Sequence, residues 1–278
     1  MRLAHLFLYA GSTMQTVLTI AGYDPSSGAG VTADLMVFAA HGLFGTSCIT
    51  SLTVQSTMGV RSATPVAAET VRATLDCLEG DLPAMGIKIG MLATAGNAAA
   101  VAEFLQRLRD EGRRVPVVLD PVLRSSSGRE LLDADGVEVM RERLLPLVDW
   151  VTPNLEEAAM LTGCSVGREN MLDAARALQA MGEKLNVVVT GGHLDPPDDL
   201  VLVGGEALWL PGAKIASRST HGTGCAFSSA LLSRIVVGDE VRDAVLLAKQ
   251  YVAEAIRTAV PMGKGLGPVN HLWPLQED

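Results

Sequence analysis

The sequence predicts an α/β fold in which a mostly parallel central sheet is covered by helices on both faces. Short apolar runs rich in β-branched residues alternate along the chain with longer segments of helical periodicity. These runs are apolar at nearly every position, as expected for strands that are buried on both sides. The chain has 278 residues, of which 48% are hydrophobic, and can therefore build one large core.

Strands and helices are predicted in alternation up to about residue 200. The predicted strands are TVLTIAG, TSCITSLTVQ, MGIKIGM, VPVVLDP, DWVTPN and NVVVTGG. The predicted helices are VTADLMVFAAHG, AETVRATLDCLEG, NAAAVAEFLQRLRDEG, GVEVMRERLLPL, LEEAAMLTG and MLDAARALQAMG. Glycine often ends helices because it adopts left-handed backbone angles easily. The glycines predicted to end helices are Gly42, Gly80, Gly112, Gly163 and Gly182.

The pattern changes near residue 200. The stretch LVLVGGEALWLPG has two short apolar runs around a glycine pair, which predicts an antiparallel hairpin at the sheet edge. Two helices, at roughly 223–237 and 239–260, finish the chain. Because no linker, repeat or low-complexity segment interrupts the pattern, residues 14–278 are predicted to form a single domain.

Residues 1–13 precede the first strand and are predicted to be an N-terminal extension that is not part of the fold. The segment MRLAHLFLYAGST has one arginine and a short apolar run, which is a poor match to a signal peptide. The run is also too short to cross a bilayer. No membrane partner is therefore expected.

Charge and cysteine content disfavour several classes of function. The formal net charge is -9 and no dense Lys/Arg run is present, which argues against nucleic acid as the main partner. Cys48, Cys77, Cys164 and Cys225 are far apart and form no C-x-x-C pair. This spacing favours reduced thiols in a cytoplasmic protein over a zinc site or a disulfide framework.

Polar and glycine residues follow the predicted strands, where ligands of parallel sheets usually bind. They are Gly22 to Asp24, Gln55, Lys88 to Met91, Asp120 to Val122, Asn154 and Gly191 to His193. A ligand site is therefore predicted at this edge of the sheet, and a small molecule is the expected partner.

The loop after the first strand matches a dinucleotide fingerprint. Gly28 to Ala33 reads G-x-G-x-x-A, but that motif requires an acidic residue about 20 positions later to hold the ribose. No Asp or Glu occurs between Leu35 and Ala68, which disfavours NAD binding. The alternative is that the glycines let the loop fold tightly over a small ligand. A Walker A motif is also absent from the sequence.

A glycine-rich turn leads into a predicted helix at STHGTGCAFSSALL, residues 219–232. Helix N-termini bind anions, so the backbone of Gly222, Thr223 and Gly224 is predicted to hold a phosphoryl group. The same field is predicted to lower the pKa of the Cys225 thiol from about 8.5. Cys225 could then take a proton from a substrate hydroxyl. A glycine turn followed by a small buried cysteine explains this stretch equally well.

Eight short motifs together resemble one family. They are AGYDPSSGAGVTADL, TVQST, KIGML, VLDPV, TPNLEEA, GGH, STHGTGCAFSSAL and GKGLGPVNH, in that order. The chain is similar from residue 14 to 274 to the hydroxymethylpyrimidine/phosphomethylpyrimidine kinases of thiamine synthesis, within the ribokinase-like superfamily. The resemblance implies a ribokinase-like three-layer sandwich, ATP and Mg²⁺ as cofactors, a pyrimidine substrate and a homodimer.

The resemblance also implies roles for individual residues. In the family the pyrimidine pocket corresponds to Ala29, Asp34, Gln55, Met91 and Val122. The residues implied for ATP and its phosphates are Asn154, Thr190, Gly192 and Lys264, and those for the metal are Asp120 and Glu157. The family assigns catalysis to Cys225 with the turn of Gly222, Thr223 and Gly224. His221 is expected to be a neighbour of the site and not the base.

Ordinary structural roles remain open for several of these residues. Asn154 and Glu157 have the spacing of a capping box at the start of a helix. Gln55 could be an exposed polar residue at a strand end, although its amide offers a pyrimidine both a donor and an acceptor. Met91 is equally compatible with core packing, and Asp120 could simply begin an Asp-Pro turn.

Three positions depart from the family pattern. Thr190 stands where many members have a lysine, which removes a cation near the nucleotide phosphates, and Lys264 is a candidate replacement. Tyr23 replaces a small hydroxyl residue, and Leu123 replaces a common methionine.

Three other functions are alternatives to a pyrimidine kinase. A pyridoxine or pyridoxal kinase of the same superfamily acts on another small heteroaromatic hydroxymethyl compound. A catalytically inactive sensor of the pyrimidine would agree with the missing lysine at Thr190. An NAD-dependent oxidoreductase would need the acidic residue that the glycine motif lacks.

Overall fold

The structure is a computed structural model that describes residues 14–125 and 128–276, and its centre is a nine-stranded sheet. The strands of this sheet are β1 (Thr16–Tyr23), β2 (Phe44–Ser56), β3 (Gly59–Pro65), β4 (Ile87–Ile89), β5 (Val117–Leu119), β6 (Trp150–Val151), β7 (Asn186–Val189), β8 (Asp199–Val203) and β9 (Glu206–Leu210). Their order is β3-β2-β1-β4-β5-β6-β7-β8-β9. The predicted extension, residues 1–13, lies outside the described residues.

The central strands run parallel, as the sequence predicted. All neighbouring pairs from β2 through β7 are parallel. The predicted edge hairpin is confirmed as β8 and β9, which pair antiparallel with each other. At the other edge β3 pairs antiparallel with β2 and was not predicted. Its sequence, GVRSATP, is small and polar, so it lacks the apolar run that identifies the other strands.

Eight α-helices connect and cover the strands in the described part of the chain. They are α1 (Gly30–Ala40), α2 (Ala68–Asp81), α3 (Ala95–Asp110), α4 (Ala134–Val139), α5 (Leu155–Thr162), α6 (Met171–Gln179), α7 (Thr223–Val236) and α8 (Val241–Arg257). Gly163 caps α5 in the left-handed region, as predicted, with φ +74°. The prediction for Gly80 was wrong, because it lies inside α2, which ends at Asp81.

The core has two halves, one on each face of the sheet. Successive strand residues point to opposite faces. In β5, Leu119 packs into a cluster that includes Phe104 of α3, whereas Val118 packs into a second cluster that includes Leu231 of α7. The predicted three-layer arrangement is therefore confirmed. No helix in the described ranges is long and apolar enough to cross a membrane.

A small second sheet fixes the start of α7. Its strands, β10 (Ser219–His221) and β11 (Gly267–Pro268), are parallel, and neither was predicted because each has three residues or fewer. Strand β10 leads directly into α7. A Cβ built on Gly224, in the first turn of α7, would lie 3.6 Å from Asp120 Oδ2. The N-terminus of α7 therefore lies over the carboxyl end of β5.

Candidate active site

The turn before α7 is packed against the loop that follows β1. Gly222 adopts φ +87°, and a Cβ on it would lie 1.7 Å from the Gly28 carbonyl oxygen. A Cβ on Gly28 would in turn lie 2.1 Å from the His221 ring. Gly222 and Gly28, the first glycine of the G-x-G-x-x-A motif, are thus both required for this close approach of the two segments. The backbone N–H groups of Thr223 and Gly224 lie in the first turn of α7, where anions are favoured.

Cys225 follows this turn and is half-buried. Burial disfavours the charged thiolate, and the Asp34 and Asp120 carboxylates repel it, so the pKa of Cys225 is raised to about 12. The nearby Lys88 ammonium and a hydrogen bond from the Gly30 backbone act in the opposite direction without reversing the shift. The prediction of a lowered pKa was therefore wrong. The helix N-terminus could be predicted from the sequence, but the two carboxylates come from distant segments.

Asp34 occupies a different position from the one predicted for it. Its side chain is completely buried and has no surface facing a ligand pocket. It accepts hydrogen bonds from Lys88 Nζ at 3.0 and 2.9 Å, from Thr19 Oγ1 at 2.6 Å and from Ser229 Oγ at 2.8 Å. Asp34 therefore joins β1, β4 and α7 beneath the glycine turn and does not line the pocket.

Lys88 is a buried cation whose role the sequence did not reveal. It lies in β4 and its side chain is fully buried. Burial alone would lower the pKa of Lys88, but Asp34, Cys225 and Asp120 outweigh that effect and raise the pKa, so the ammonium stays charged. The available signal was a lysine inside the otherwise apolar strand IKI, where an unpaired charge would be costly.

A hydrogen-bonded set of side chains forms one wall of the site. His221 Nε2 lies 2.7 Å from Asp24 Oδ2 and 3.1 Å from the amide of Gln55. Burial would raise the pKa of Asp24, but hydrogen bonds from His221 and Ser26 outweigh it and lower the pKa. Gln55 lies one residue before the end of β2, and its side chain is half-buried. The prediction that His221 is a neighbour of the site agrees with these contacts.

Three apolar residues predicted to line the pyrimidine pocket lie at neighbouring strand ends. Ala29 is half-buried in the loop after β1, and Val122 is half-buried two residues after Asp120. Met91 follows β4 with 8% of its surface exposed. A Cβ on Gly22, at the end of β1, would lie 2.9 Å from Met91 Sδ, so the methionine lies against the backbone of β1. Gln55 lies near the end of β2, and the three apolar residues follow β1, β4 and β5, which are its neighbours in the sheet.

Asp120 and Glu157 are two buried carboxylates near the start of α7. Burial and repulsion from Asp120 raise the pKa of Glu157 to about 8. Burial also raises the pKa of Asp120, although Lys88 and a 3.2 Å hydrogen bond from Ser228 Oγ oppose the change. Glu157 forms the predicted capping box, accepting from the Asn154 backbone N–H at 3.0 Å. The capping role predicted for Asn154 and Glu157 is therefore confirmed.

The two carboxylates fit a magnesium ion. Within residues 14–125 and 128–276, no group of three or more His, Cys, Asp or Glu side chains could hold a metal ion. Magnesium, however, commonly takes only one or two protein carboxylates and completes its coordination with phosphates and water. Burial is the main reason that the pKa values of Asp120 and Glu157 are raised, and a bound cation would favour the ionised form of both carboxyls.

The residues predicted for the nucleotide lie at the ends of β6 and β7. Asn154 and Thr190 form a parallel bridge, and the Thr190 backbone N–H donates to the Pro153 carbonyl at 2.8 Å. The next backbone N–H, of Gly191, donates to Asp199 Oδ1 at 2.8 Å. Gly192 is exposed, and a Cβ on it would meet no atom within 4 Å. This turn therefore leaves an open surface beside Asn154.

Lys264 lies in a different part of the site. Its neighbours Gly263 and Gly265 pack against Thr57, in the turn between β2 and β3, and a Cβ on Gly263 would lie 2.2 Å from Thr57 Oγ1. Five strand spacings separate β2 from β7, or about 24 Å. The structure thus places the Lys264 backbone beside the β2–β3 turn, on the side predicted for the pyrimidine and away from Thr190. This position does not favour Lys264 as a direct replacement for the lysine missing at Thr190.

Comparison with known sequences identifies close relatives. A model of the phosphomethylpyrimidine kinase family matches residues 24–270. The hydroxymethylpyrimidine/phosphomethylpyrimidine kinase of Haemophilus influenzae is 39% identical over 94% of this chain and 97% of its own. The thiamine biosynthesis bifunctional protein of Geobacter sulfurreducens is 42% identical over 94% of this chain. The chain spans about half, 53%, of that longer relative.

Solved structures of two enzymes share the fold. The pyridoxal kinase of Bacillus subtilis, in complex with ADP, is 30% identical with a TM-score of 0.82, over 93% of this chain and 98% of that enzyme. The phosphomethylpyrimidine kinase of Clostridium difficile is 32% identical with a TM-score of 0.75, over 87% of this chain and 99% of that enzyme. The ribokinase-like architecture expected from the motifs is thereby confirmed.

Proposed function

This chain belongs to the phosphomethylpyrimidine kinase family, and from that premise we propose that it transfers phosphoryl groups from ATP to 4-amino-5-hydroxymethyl-2-methylpyrimidine and then to its monophosphate, in thiamine biosynthesis. The main observation in support of this proposal is the position of the α7 N-terminus. Its glycine turn stands over the carboxylate of Asp120, and the polar wall at Gln55 lies against the same turn through His221. Phosphate, metal and heteroaromatic ring can therefore meet at one edge of the sheet.

The glycine turn is proposed to stabilise the transferring phosphoryl group. Gly222, Thr223 and Gly224 present backbone N–H groups at a helix N-terminus, which suits the charge spread over the phosphoryl oxygens. Asp120 and Glu157 would hold Mg²⁺, which when bound with ATP supplies positive charge against the phosphates. Asn154, Thr190 and Gly192 are proposed to line the nucleotide half of the site.

Cys225 is proposed to accept the proton of the substrate hydroxyl. With a pKa of about 12 its thiol is neutral in the free protein at neutral pH. Asp120 is one of the groups that raise this pKa, and Lys88 is one that lowers it. Neutralising Asp120 would lower the pKa of the Cys225 thiol. The thiol is therefore expected to lose its proton to solvent only when the site is filled, and the thiolate so formed accepts the proton of the substrate hydroxyl.

The pyrimidine is proposed to bind with its polar edge on Gln55 and its faces between apolar side chains. The Gln55 amide offers one donor and one acceptor, which match a ring nitrogen beside an exocyclic amine. Ala29, Met91 and Val122 would supply the apolar contacts. Lys264, on the loop that packs against the β2–β3 turn, is proposed to contribute positive charge from the pyrimidine side of the site.

We also propose a cytoplasmic homodimer with one domain over residues 14–278. The dimer is supported by Leu52 and Val54, which are 51% and 58% exposed on the outer face of the β2–β3 hairpin. Their neighbours Thr53 and Gln55 face the site instead, as expected for alternating strand residues. A cytoplasmic location is supported by all four cysteines being unpaired.

Turnover of two substrates side by side tests the proposed function. Pyridoxal is the competing substrate, because a pyridoxal kinase shares this fold with a TM-score of 0.82. The proposal expects kcat/KM for the aminopyrimidine to exceed that for pyridoxal, with ATP consumed only when a substrate is present. A large preference for pyridoxal would replace the proposed activity with the second one. ATP consumption that depends on the pyrimidine also excludes an inactive sensor.

A further inference from the structure

The orientation of the Gln55 amide is fixed from one side by His221. Because a carboxylate can only accept hydrogen bonds, the 2.7 Å contact with Asp24 requires a hydrogen on His221 Nε2. The lowered pKa of Asp24 keeps that carboxylate ionised. The structure places the Gln55 amide nitrogen, Nε2, at 3.1 Å from the same His221 Nε2. An N–H of the Gln55 amide on this side would point at the N–H of His221, and two donors cannot bond to each other. The amide oxygen of Gln55 therefore belongs on the His221 side.

Thr53 fixes the same amide from the other side. Its hydroxyl donates to the Tyr23 carbonyl oxygen at 2.9 Å, so its lone pairs remain to accept a hydrogen bond. The structure places the Gln55 amide oxygen, Oε1, at 3.3 Å from this hydroxyl, whose single hydrogen would then have two acceptors, so the two ends of the amide must be exchanged. An amide NH₂ satisfies that contact, whereas an amide oxygen would compete with the Tyr23 carbonyl for the one hydroxyl hydrogen. Both neighbours thus require the oxygen toward His221 and the nitrogen toward Thr53.

We propose that Asp24 and His221 are a positioning pair that sets the polarity of Gln55 and so selects the order of donor and acceptor on the substrate ring. The inference rests on the proposed function, because it concerns the edge of the ring that Gln55 binds. With its polarity fixed, Gln55 presents an acceptor on the His221 side and a donor on the Thr53 side. Only a ring with the complementary order binds with its hydroxymethyl group toward Cys225.

The aminopyrimidine has the matching order. Its exocyclic amine donates to the Gln55 oxygen, and the adjacent ring nitrogen accepts from the Gln55 nitrogen. The 4-oxo analogue, in its lactam form, has the same shape but the reverse order, with a carbonyl acceptor beside a ring N–H donor. Turning that ring over would restore the match, but it would carry the neighbouring hydroxymethyl group away from Cys225. Pyridoxal likewise has an acceptor, its aldehyde, beside the hydroxymethyl group.

The test compares kcat/KM for the 4-amino compound and its 4-oxo analogue in the wild-type protein. In the 4-oxo analogue, donor faces donor and acceptor faces acceptor at Gln55, which leaves polar atoms of the ring and the amide unpaired. The kcat/KM of the 4-amino compound is therefore expected to be higher by at least about a hundredfold. A ratio below about threefold would show that Gln55 rotates freely and would overturn the inference. Failure of both compounds to be phosphorylated would instead contradict the proposed function itself.

Variants of His221 link the selectivity to the positioning pair. His221→Phe keeps an aromatic ring but removes the N–H, so the Gln55 amide can rotate and the ratio is expected to fall to about tenfold or less. His221→Gln is the matched control, since its amide N–H can reach both partners, and it should keep most of the ratio. A ratio that is unchanged in folded His221→Phe would contradict the role of His221.

Thr53→Val provides a second variant that does not depend on the folding of His221→Phe. Valine has the shape of threonine and removes only the hydroxyl that accepts from the Gln55 nitrogen. Its ratio of kcat/KM values is expected to fall by about threefold to tenfold, because one of the two anchors is lost. If Thr53→Val keeps the wild-type ratio of kcat/KM values for the 4-amino and 4-oxo compounds, then Thr53 does not help to fix the orientation of Gln55.

Discussion

Lys88 Nζ lies 2.9 Å from Asp34 Oδ2, and both side chains are completely buried beneath the turn that carries Cys225. Asp34 also accepts from Ser229 Oγ, one helical turn after Cys225, at 2.8 Å. The ion pair therefore connects the start of α7 to the central sheet. A buried pair contributes little net stability compared with apolar packing, but removing one partner leaves an uncompensated charge.

The first prediction concerns the stability of this pair. Lys88→Met should lower the free energy of unfolding by about 3–5 kcal/mol, because Asp34 loses its cation while remaining fully buried. Urea unfolding followed by circular dichroism measures the change. The double variant Lys88→Met/Asp34→Leu removes both charges and should recover a large part of the loss. A Lys88→Met protein within about 1 kcal/mol of wild type would show that the charge of Asp34 is otherwise compensated.

The second prediction concerns substrate affinity. Gln55→Leu should weaken pyrimidine binding by about 1–3 kcal/mol, because the polar edge of the ring is left unpaired. Isothermal titration calorimetry should show ATP binding nearly unchanged. Ser56→Ala is the matched control, since Ser56 is the next residue of β2 and is exposed on the opposite face. Equal pyrimidine affinity in Gln55→Leu and wild type would exclude the proposed contact.

The third prediction concerns the reactivity of Cys225. Cys77 and Cys164 are exposed, so the measurement uses a Cys77→Ser/Cys164→Ser background. Because the pKa of Cys225 is about 12, the thiolate fraction is small at neutral pH and increases about tenfold per pH unit below the pKa. Iodoacetamide should therefore react slowly at pH 7 and progressively faster up to pH 10. A reaction rate that levels off below pH 8 would contradict the raised pKa.

Substitution of Cys225 tests its part in turnover. Cys225→Ser should keep the fold and lose about 10²–10⁴-fold in kcat, if proton transfer to the thiolate carries that step. Cys225→Asp should recover part of the rate, since a carboxylate can also accept the proton. Nearly full turnover by Cys225→Ala would mean that the cysteine only packs and that the glycine turn supports transfer without it.

The fourth prediction separates the two roles of Glu157. Glu157→Gln keeps an oxygen that can accept from the Asn154 backbone N–H but cannot ionise to the carboxylate that would bind Mg²⁺. The free energy of unfolding should stay within about 1 kcal/mol of wild type, because the helix cap is retained. The Mg²⁺ concentration needed for half-maximal activity should rise at least about tenfold, because one carboxylate is lost. An unchanged Mg²⁺ requirement would restrict Glu157 to capping α5.

Local patterns in the sequence were sufficient for most of the fold. The central strands and the edge hairpin were predicted from continuous apolar runs and a glycine pair, and the Asn154–Glu157 cap from its spacing. Strand β3 was missed because its small polar residues give no periodic signal, and it forms only by pairing with β2. Extended backbone at a sheet edge depends on its neighbour more than on its own residues.

The electrostatics of the site could not be predicted from local patterns. The pKa of Cys225 is raised mainly by burial and further by Asp34 and Asp120, which lie 191 and 105 positions earlier in the chain (225 − 34 and 225 − 120). The pairing of Asp34 with Lys88 similarly joins α1 to β4. Such contacts appear only when the sheet order is known, whereas a helix N-terminus and its anion preference can be recognised in the sequence itself.

Mass spectrometry of the reaction products is the most direct test of the two proposed phosphoryl transfers to the aminopyrimidine. Wild-type protein is incubated with 4-amino-5-hydroxymethyl-2-methylpyrimidine, ATP and Mg²⁺, and the pyrimidine products are followed over time, with the Cys225→Ala variant as a control. We expect a species carrying one phosphoryl group, followed by one carrying two, and slower formation of both by the variant. A pyrimidine that remains unmodified, while pyridoxal in a parallel reaction is phosphorylated, would contradict this expectation.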